Sequence, residues 1–165
     1  MTDKTRSSIC PSSICLNMIV KDEAHIIEKT LNNILNYIPL TYWVICDTGS
    51  SDETIKVIEG FFKDKKIKGE MHRCEWKGFG RSRSEALDKA YNKTDYIFLF
   101  DADDTIHGDF KLPVPLNMDS YAFQFGQGFS YTRPLLVSNR KEWKYVGVLH
   151  EYLTEKVSEN RSRTI

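Results

Sequence analysis

The chain has 165 residues with 23 basic and 23 acidic side chains, so its formal net charge is zero. This balance leaves no surplus of positive charge to attract nucleic acid or an anionic membrane, and we expect no nucleic-acid partner. No apolar run approaches the roughly 20 residues that span a bilayer, so we expect no transmembrane segment. The length suits one domain with a core of its own.

The four cysteines show no paired C-x-x-C spacing, which argues against a zinc site or a disulfide framework. Cys15 and Cys46 lie in apolar segments, where cysteine is typically a small buried hydrophobe. The first eleven residues are polar and lack the apolar core of a signal peptide. Together these features predict a cytoplasmic protein.

Strand and helix patterns alternate along the first hundred residues. Residues 14–20 predict a first strand, and the apolar spacing that follows predicts a helix capped by Asp22 and ended by Pro39. Residues 42–46 predict a second strand.

The next segment repeats this alternation. Ser50 and Glu53, three residues apart, predict a capping box for a second helix that runs to about Phe62. Residues 70–75 predict a weaker third strand, and residues 82–91 a third helix.

An apolar run over residues 95–100 predicts a buried fourth strand, and segments 119–131, 134–138 and 142–149 predict further strands. The alternation of strand and helix over about 85 residues favours a parallel sheet. The predicted fold class is α/β. We expect a Rossmann-like, mostly parallel sheet with helices on both faces and an antiparallel C-terminal extension of the same sheet.

Three carboxylates, Asp101, Asp103 and Asp104, directly follow the fourth predicted strand. The carboxyl end of such a strand lies at the edge where open α/β sheets bind ligands. Carboxylates this close repel one another unless a cation lies among them. Mg²⁺ and Mn²⁺ use one or two carboxylates together with substrate phosphates. The motif therefore predicts a metal–phosphate site.

Other candidate residues stand at comparable places. Asp47 ends the second strand; alone it would suit a turn in a Gly–Ser loop, but together with Asp101 and Asp103 it favours a ligand contact. Gly78-Phe79-Gly80 precedes the third helix, but Arg83 stands where a dinucleotide fingerprint has its third glycine, so a phosphate contact fits better. His150 and Glu151 could supply a metal ligand and a general base.

Four motifs stand in order: Ile19-Val20-Lys21-Asp22-Glu23, Asp47-Thr48-Gly49-Ser50-Ser51-Asp52-Glu53-Thr54, Arg83-Ser84-Glu85-Ala86-Leu87 and Phe100-Asp101-Ala102-Asp103-Asp104. Together they resemble glycosyltransferase family 2, the inverting nucleotide-diphospho-sugar transferases of the GT-A fold. The resemblance implies a polar segment over 1–13, a GT-A domain over 14–153 and a polar tail over 154–165, where family members usually continue.

The resemblance implies a donor site on the first three motifs. Val20, Lys21 and Glu23 would line the nucleotide base pocket, and Asp47 would hold the base or the ribose. Arg83 would reach the nucleotide phosphates. A UDP-sugar is the donor expected first.

The resemblance also implies a metal site and a catalytic base. Asp101 and Asp103 would form a D-x-D pair for Mn²⁺ or Mg²⁺, with Asp103 the direct ligand, Asp101 nearer the ribose and His150 a further ligand. Glu151 or Asp104 would take the proton of the acceptor hydroxyl. Glu151 is preferred, because Asp104 is crowded against the metal ligands.

Two other interpretations stay open. A module of the same fold could bind a nucleotide sugar without turnover. A HAD-type phosphatase would use Asp101 as nucleophile and Asp103 as general acid, since Asp101-Ala102-Asp103-Asp104-Thr105 fits D-x-D-x-T. That fold needs several more β-α units than the 60 residues after Thr105 can supply. The acceptor is open among glycan, lipid, protein and small molecule, and the aromatic segment Tyr121–Tyr131 suits an acceptor contact or a homodimer.

Overall fold

The computed structural model of the chain describes residues 11–126, 130–147 and 151–156. The strands are β1 Ile14–Val20, β2 Tyr42–Asp47, β3 Lys68–Arg73, β4 Tyr96–Leu99, β5 Ser120–Phe125, β6 Tyr131–Ser138, β7 Trp143–Val146 and β8 Tyr152–Glu155. The helices are α1 Ile27–Tyr37, α2 Thr54–Lys65 and α3 Phe79–Ala90. Each predicted element of the first hundred residues is present, within a few residues of its expected ends. None of the described helices is both long enough and apolar enough to cross a membrane.

Six strands form one sheet in the order β3-β2-β1-β4-β6-β5. The first four strands along the chain pair in parallel, whereas β6 runs antiparallel to both β4 and β5. The predicted mostly parallel sheet with an antiparallel extension is therefore confirmed.

The last two strands depart from the prediction. β7 and β8 pair only with each other, in a separate antiparallel sheet, so the expectation that residues 142–149 extend the main sheet is wrong. The position beside β6 is taken by β5. The side chains of Trp143 and Tyr145 in β7 pack instead on the face that α3 covers.

Helices cover both faces of the main sheet, as predicted. Leu16 and Met18 of β1 pack in the same cluster as α1 and α2, while Cys15 packs with Leu87 of α3 on the other face. A strand buried on both faces has to be apolar at nearly every position, as β1 is. Cys15 and Cys46 are buried, as predicted, and burial raises the pKa of the Cys15 thiol to about 12.

The predicted cap of the first helix is wrong. The residue before α1 is Ile26, which makes no side-chain cap. Asp22 instead adopts a left-handed φ of 54°, and its carboxylate accepts hydrogen bonds from the backbone N–H and the hydroxyl of Ser51. The loop after β1 is thus tied to the loop after β2.

The predicted capping box of the second helix is also wrong. The Ser50 hydroxyl accepts a hydrogen bond from the Asp22 N–H, and Glu53 pairs with Lys56. Asp52 accepts from the Thr54 N–H where α2 begins. Asp22 and Ser50, which local spacing assigned to helix caps, form hydrogen bonds between the two loops instead.

Candidate active site

Three parallel strands deliver their carboxyl ends to one edge of the sheet. The register pairs Val20 at the end of β1 with Asp47 at the end of β2. The N–H of Phe100, just past β4, donates to the carbonyl of Asn17 in β1. The loops that carry the predicted motifs therefore begin side by side.

A cleft of about 530 Å³ lies at this edge. Its walls are formed by Ile19, Val20, Lys21, Glu23, Thr48, Trp76, Phe79, Arg83, Asp101, Ala102 and Asp103. The cleft brings together six of the residues proposed from sequence, from three distant motifs. Asp47, Asp104 and Glu151 lie outside its lining, and His150 lies outside the described residues.

Asp47 is buried and faces its own loop. Its carboxylate accepts hydrogen bonds from the N–H groups of Gly49 and Ser50, which makes an Asx-type turn. This is the turn geometry that the sequence also suggested, although a ligand contact was favoured there. The residue that the loop presents to the cleft is Thr48.

Arg83 of α3 links two of the predicted carboxylates. Its Nη2 lies 2.7 Å from Asp101 Oδ1, and its Nη1 lies 3.4 Å from Glu151 Oε2. The rings of Phe79 and Tyr145 flank the guanidinium, with their centres 5.3 and 5.7 Å from Arg83 Cζ, respectively. Burial alone would lower the pKa of Arg83, but Asp101, Tyr145 and Glu151 together outweigh it and the pKa is raised. Arg83 therefore stays charged and ties the end of β4 to Glu151.

Asp101 is paired on its other oxygen as well. Arg133 Nη2 of β6 lies 3.7 Å from Asp101 Oδ2. The antiparallel register that pairs Phe98 with Leu136 places Arg133 opposite Asp101 when it is continued. Sequence reasoning missed Arg133, because only this register brings it to the site. The Asp101 carboxylate is thus held between two guanidinium groups, while Asp103 is exposed at the cleft.

Asp104 lies in the same tight turn, with its N–H donating to the Asp101 carbonyl over 3.3 Å. Burial raises the pKa of Asp104, and the charges of Asp101 and Asp103 raise it further. Asp104 lines a pocket of about 20 Å³ beside Arg133 and Tyr145, which shares Ile19, Arg83 and Asp101 with the cleft. That volume has room for about one water molecule.

Glu151 rests against the first turn of α3. Its Oε1 accepts the Gly80 N–H, where the helix dipole favours negative charge. A Cβ added to Gly80 would lie 2.9 Å from that oxygen, so only glycine lets the carboxylate come this close. Gly80, the second glycine of the segment that weakly resembled a dinucleotide fingerprint, thus contacts Glu151.

Trp76 and Phe79 form a wall of the cleft that sequence reasoning missed. They are 45% and 58% exposed, and their rings meet edge to face at 4.8 Å. The available signal was two aromatic residues in a polar loop between a strand and a helix.

The carboxylates fit a metal that arrives with its substrate. Among the described residues, no group of three His, Cys, Asp or Glu side chains could hold an ion by itself. Asp103, and Asp101 beside its two guanidinium partners, would be the one or two carboxylates that Mg²⁺ uses beside substrate phosphates. The donor set therefore suits a metal–diphosphate complex.

The sequence model described as Glycosyl transferase family 2 matches residues 15–124, two thirds of the 165-residue chain. The chain belongs to glycosyl transferase family 2. This membership removes the phosphatase interpretation. The matched part of the family 2 chain reaches from β1 into β5 and includes Asp101 and Asp103, whereas Arg133 and Glu151 lie beyond it.

Solved structures resemble the family 2 chain over about half its length. The mannosyltransferase PcManGT from Pyrobaculum calidifontis, in complex with GDP-Man and Mn²⁺, is 20% identical, with a TM-score of 0.49 over 57% of this chain and 28% of that one. TarS 1–349 from S. aureus is 20% identical, with a TM-score of 0.48 over 56% of this chain and 28% of that one.

Glucosyl-3-phosphoglycerate synthase from Mycobacterium tuberculosis, with Mn²⁺, UDP and glucosyl-3-phosphoglycerate, is 16% identical, with a TM-score of 0.44 over 56% of this chain and 34% of that one. The family 2 chain thus spans about a third or less of the length of these three proteins. No curated protein matches it.

Proposed function

We propose that the chain carries the donor site of an inverting, metal-dependent glycosyltransferase, which moves a sugar from a nucleotide-diphospho-sugar to a hydroxyl group. The observation that carries this proposal is the meeting of three distant motifs in one cleft, represented by Lys21, Arg83 and Asp103. The cleft volume of about 530 Å³ falls in the range of small-molecule sites. A UDP-sugar is the donor we expect first.

The cleft offers different chemistry on its different walls. Lys21 and Glu23 present charged groups beside the end of β1, where they would read the edge of the base. Trp76 and Phe79 offer exposed aromatic surface. The Arg83 guanidinium would contact the diphosphate, since its planar fork suits phosphate oxygens.

Asp101 and Asp103 would hold Mn²⁺ or Mg²⁺ together with the diphosphate oxygens. His150, outside the described residues, would be a further ligand. When bound, the ion would offset the negative charge that develops on the leaving diphosphate.

Glu151 is the base in this proposal. The acceptor hydroxyl oxygen forms a bond to the anomeric carbon, and the bond to the diphosphate oxygen breaks with its electron pair. The Glu151 carboxylate takes the hydroxyl proton. Attack opposite to the leaving group inverts the configuration. Asp104 suits this role less well, because its pocket has room for about one water molecule and not for an acceptor.

The alternative is a module that binds a nucleotide sugar without turnover. It is favoured by one observation: both Glu151 oxygens already accept hydrogen bonds, from Gly80 and from Arg83. Such a carboxylate is a weaker proton acceptor than a free one.

Release of nucleoside diphosphate from a panel of nucleotide sugars with Mn²⁺ tests the proposal. We expect release from one donor class, and at least a hundredfold less from Asp103→Asn. The control is Asp109→Asn, which changes another exposed acid of the same loop. Equal loss in both variants would contradict the role of Asp103. Binding without release in the wild type would favour the binding module.

A further inference from the structure

A second concavity, which we call the β5 groove, lies beside the donor cleft and has a volume of about 710 Å³. Its aromatic wall is formed by Tyr121, Phe123 and Phe125, which alternate along β5 and are half-buried. Residues 105–113 form the facing side, where the Phe110 ring meets the Phe123 ring edge to face at 5.5 Å. Ligand sites are typically concave and rich in aromatic side chains, and the volume lies in their range.

The β5 groove lies near Asp101 but shares no lining residue with the cleft that contains Asp101 and Asp103. The register pairs Phe123 of β5 with Arg133 of β6, and Arg133 in turn pairs with Asp101. The Arg133 guanidinium also lies 5.1 Å from the centre of the Phe125 ring. Thr105, which directly follows Asp104 in the chain, lines the β5 groove. A molecule in this groove would therefore lie on the Arg133 side of Asp101.

The acidic residues near the β5 groove, Asp104 and Asp109, flank its lining but are not part of it. Its lining contains Lys111 and His107, and none of its described lining residues is an Asp or a Glu. Arg133 lies at the end near Asp101, and its charge is offset by that carboxylate. Apolar walls beside cationic groups are complementary to a ligand with an apolar body and a negative charge.

We propose that the β5 groove is the acceptor site and that the acceptor is an anionic amphiphile. Its apolar chain or ring would lie against Phe123 and Phe125, and its negative group would face Lys111. Its hydroxyl would then point along Arg133 toward the donor cleft. This inference rests on the proposed function, because it names the acceptor class of the same reaction.

The probe is octyl phosphate below its micelle concentration, titrated into the chain by calorimetry, with butyl phosphate and neutral octyl glucoside as comparisons. Because each buried methylene strengthens binding about fourfold, we expect octyl phosphate to bind at least tenfold more tightly than butyl phosphate. We also expect it to bind more tightly than octyl glucoside. Equal binding of either pair would overturn the proposal.

Two variants locate the binding. Lys111→Glu should weaken octyl phosphate binding about fivefold or more, since it reverses a charge in the groove. Lys68→Glu, an exposed lysine on the strand at the far edge of the sheet, is the matched control and should change nothing. Phe125→Ala should also weaken binding, with a thermal melt to confirm folding. Wild-type affinity in Lys111→Glu would overturn the proposal, whatever Phe125→Ala does.

The same samples separate this inference from the proposed function. UDP binding with Mn²⁺ should survive Lys111→Glu, and octyl phosphate binding should survive EDTA. Octyl phosphate binding without any nucleoside diphosphate binding would support the groove and contradict the proposed donor site. A dimer in sedimentation that excludes octyl phosphate would show a second copy in the groove and overturn the proposal.

Discussion

Gly80 is the residue where α3 and Glu151 meet. The Glu151 carboxylate accepts the Gly80 N–H, and an added Cβ would lie 2.9 Å from that oxygen. Gly60 in α2 is the opposite case, since a Cβ there would meet nothing within 4 Å. Gly80 and Gly60 therefore form a matched pair for substitution by alanine, since both are helical and only Gly80 has a close neighbour.

Gly80→Ala should displace Glu151 and reduce nucleoside diphosphate release at least tenfold, while binding of the nucleoside diphosphate changes about twofold or less. Gly60→Ala should leave release unchanged and stabilise the chain by about 0.5–1 kcal/mol, because alanine is the better helix former. Release assays and urea denaturation measure both effects. Full activity in Gly80→Ala would show that this contact does not position Glu151.

At this scale the sequence predicted much of the candidate site. Motif order placed Lys21, Arg83 and Asp103 in one cleft because the ends of parallel strands meet at one edge of a sheet. Arg133 could not be found this way. Its place beside Asp101 depends on the register of an antiparallel strand, which local spacing does not reveal.

Asn17 joins three elements inside the core. It is 4% exposed in β1, and its Nδ2 donates to the carbonyl of Val44 in β2 over 3.2 Å and to that of Ala86 in α3 over 2.9 Å. Buried carbonyls without a donor are costly. Asn17 therefore fixes α3, and with it Arg83, against the sheet.

Asn17→Leu should lower the free energy of unfolding by about 2–3 kcal/mol, because two buried carbonyls lose their donor. Urea denaturation measures the loss. Asn32→Ala, on the exposed side of α1, should change stability by less than about 0.5 kcal/mol. An equally small effect of Asn17→Leu would mean that α3 does not depend on this contact.

Glu70 in the edge strand β3 connects that strand to β2 and to the segment after α3 through its side-chain contacts. Its Oε1 accepts hydrogen bonds from Lys93 Nζ at 2.6 Å and from the Tyr42 hydroxyl at 2.7 Å, and its Oε2 lies 2.9 Å from His72 Nε2. Lys93 first, and then Tyr42, lower the pKa of Glu70 from 4.5 to about 2. The stabilisation is therefore present above pH 4.5 and is lost as the pH falls toward 2.

Glu70→Gln should be less stable than the wild type at pH 7, and the difference should shrink between pH 4.5 and pH 2. Urea denaturation of both proteins across this range measures it, since titration of the other carboxylates largely cancels in the comparison. A difference that stays constant down to pH 2 would contradict the assigned ion pair.

Elements were predicted well where a local pattern decides them, and poorly where tertiary contacts do. The apolar run of β1 was sufficient to define it. The predicted helix caps were wrong because Asp22 and Ser50 form hydrogen bonds between two neighbouring loops. The separation of β7 and β8 from the main sheet was not predicted, because the strand pattern does not reveal that Trp143 and Tyr145 pack against the α3 face.

For the whole molecule, the fold places two concavities on neighbouring parts of the sheet, one lined by Asp101 and Asp103 and the other by β5 and residues 105–113. The donor cleft lies where β1 and the loops that follow β2 and β4 come together, and the β5 groove lies on the antiparallel extension. Arg83 and Arg133 hold Asp101 between them. This arrangement suits a reaction in which the donor and the acceptor approach one centre from different sides.

Calorimetric titration of the chain with UDP, GDP, dTDP and ADP, each with Mn²⁺ and again with EDTA, tests the central claim most directly. We predict that one of these nucleotides binds with Mn²⁺ and loses its binding with EDTA. Asp103→Ala should abolish that binding without changing the thermal unfolding. Absence of binding by all four nucleotides, or equal binding with and without the metal, would contradict a metal-dependent nucleotide-sugar site.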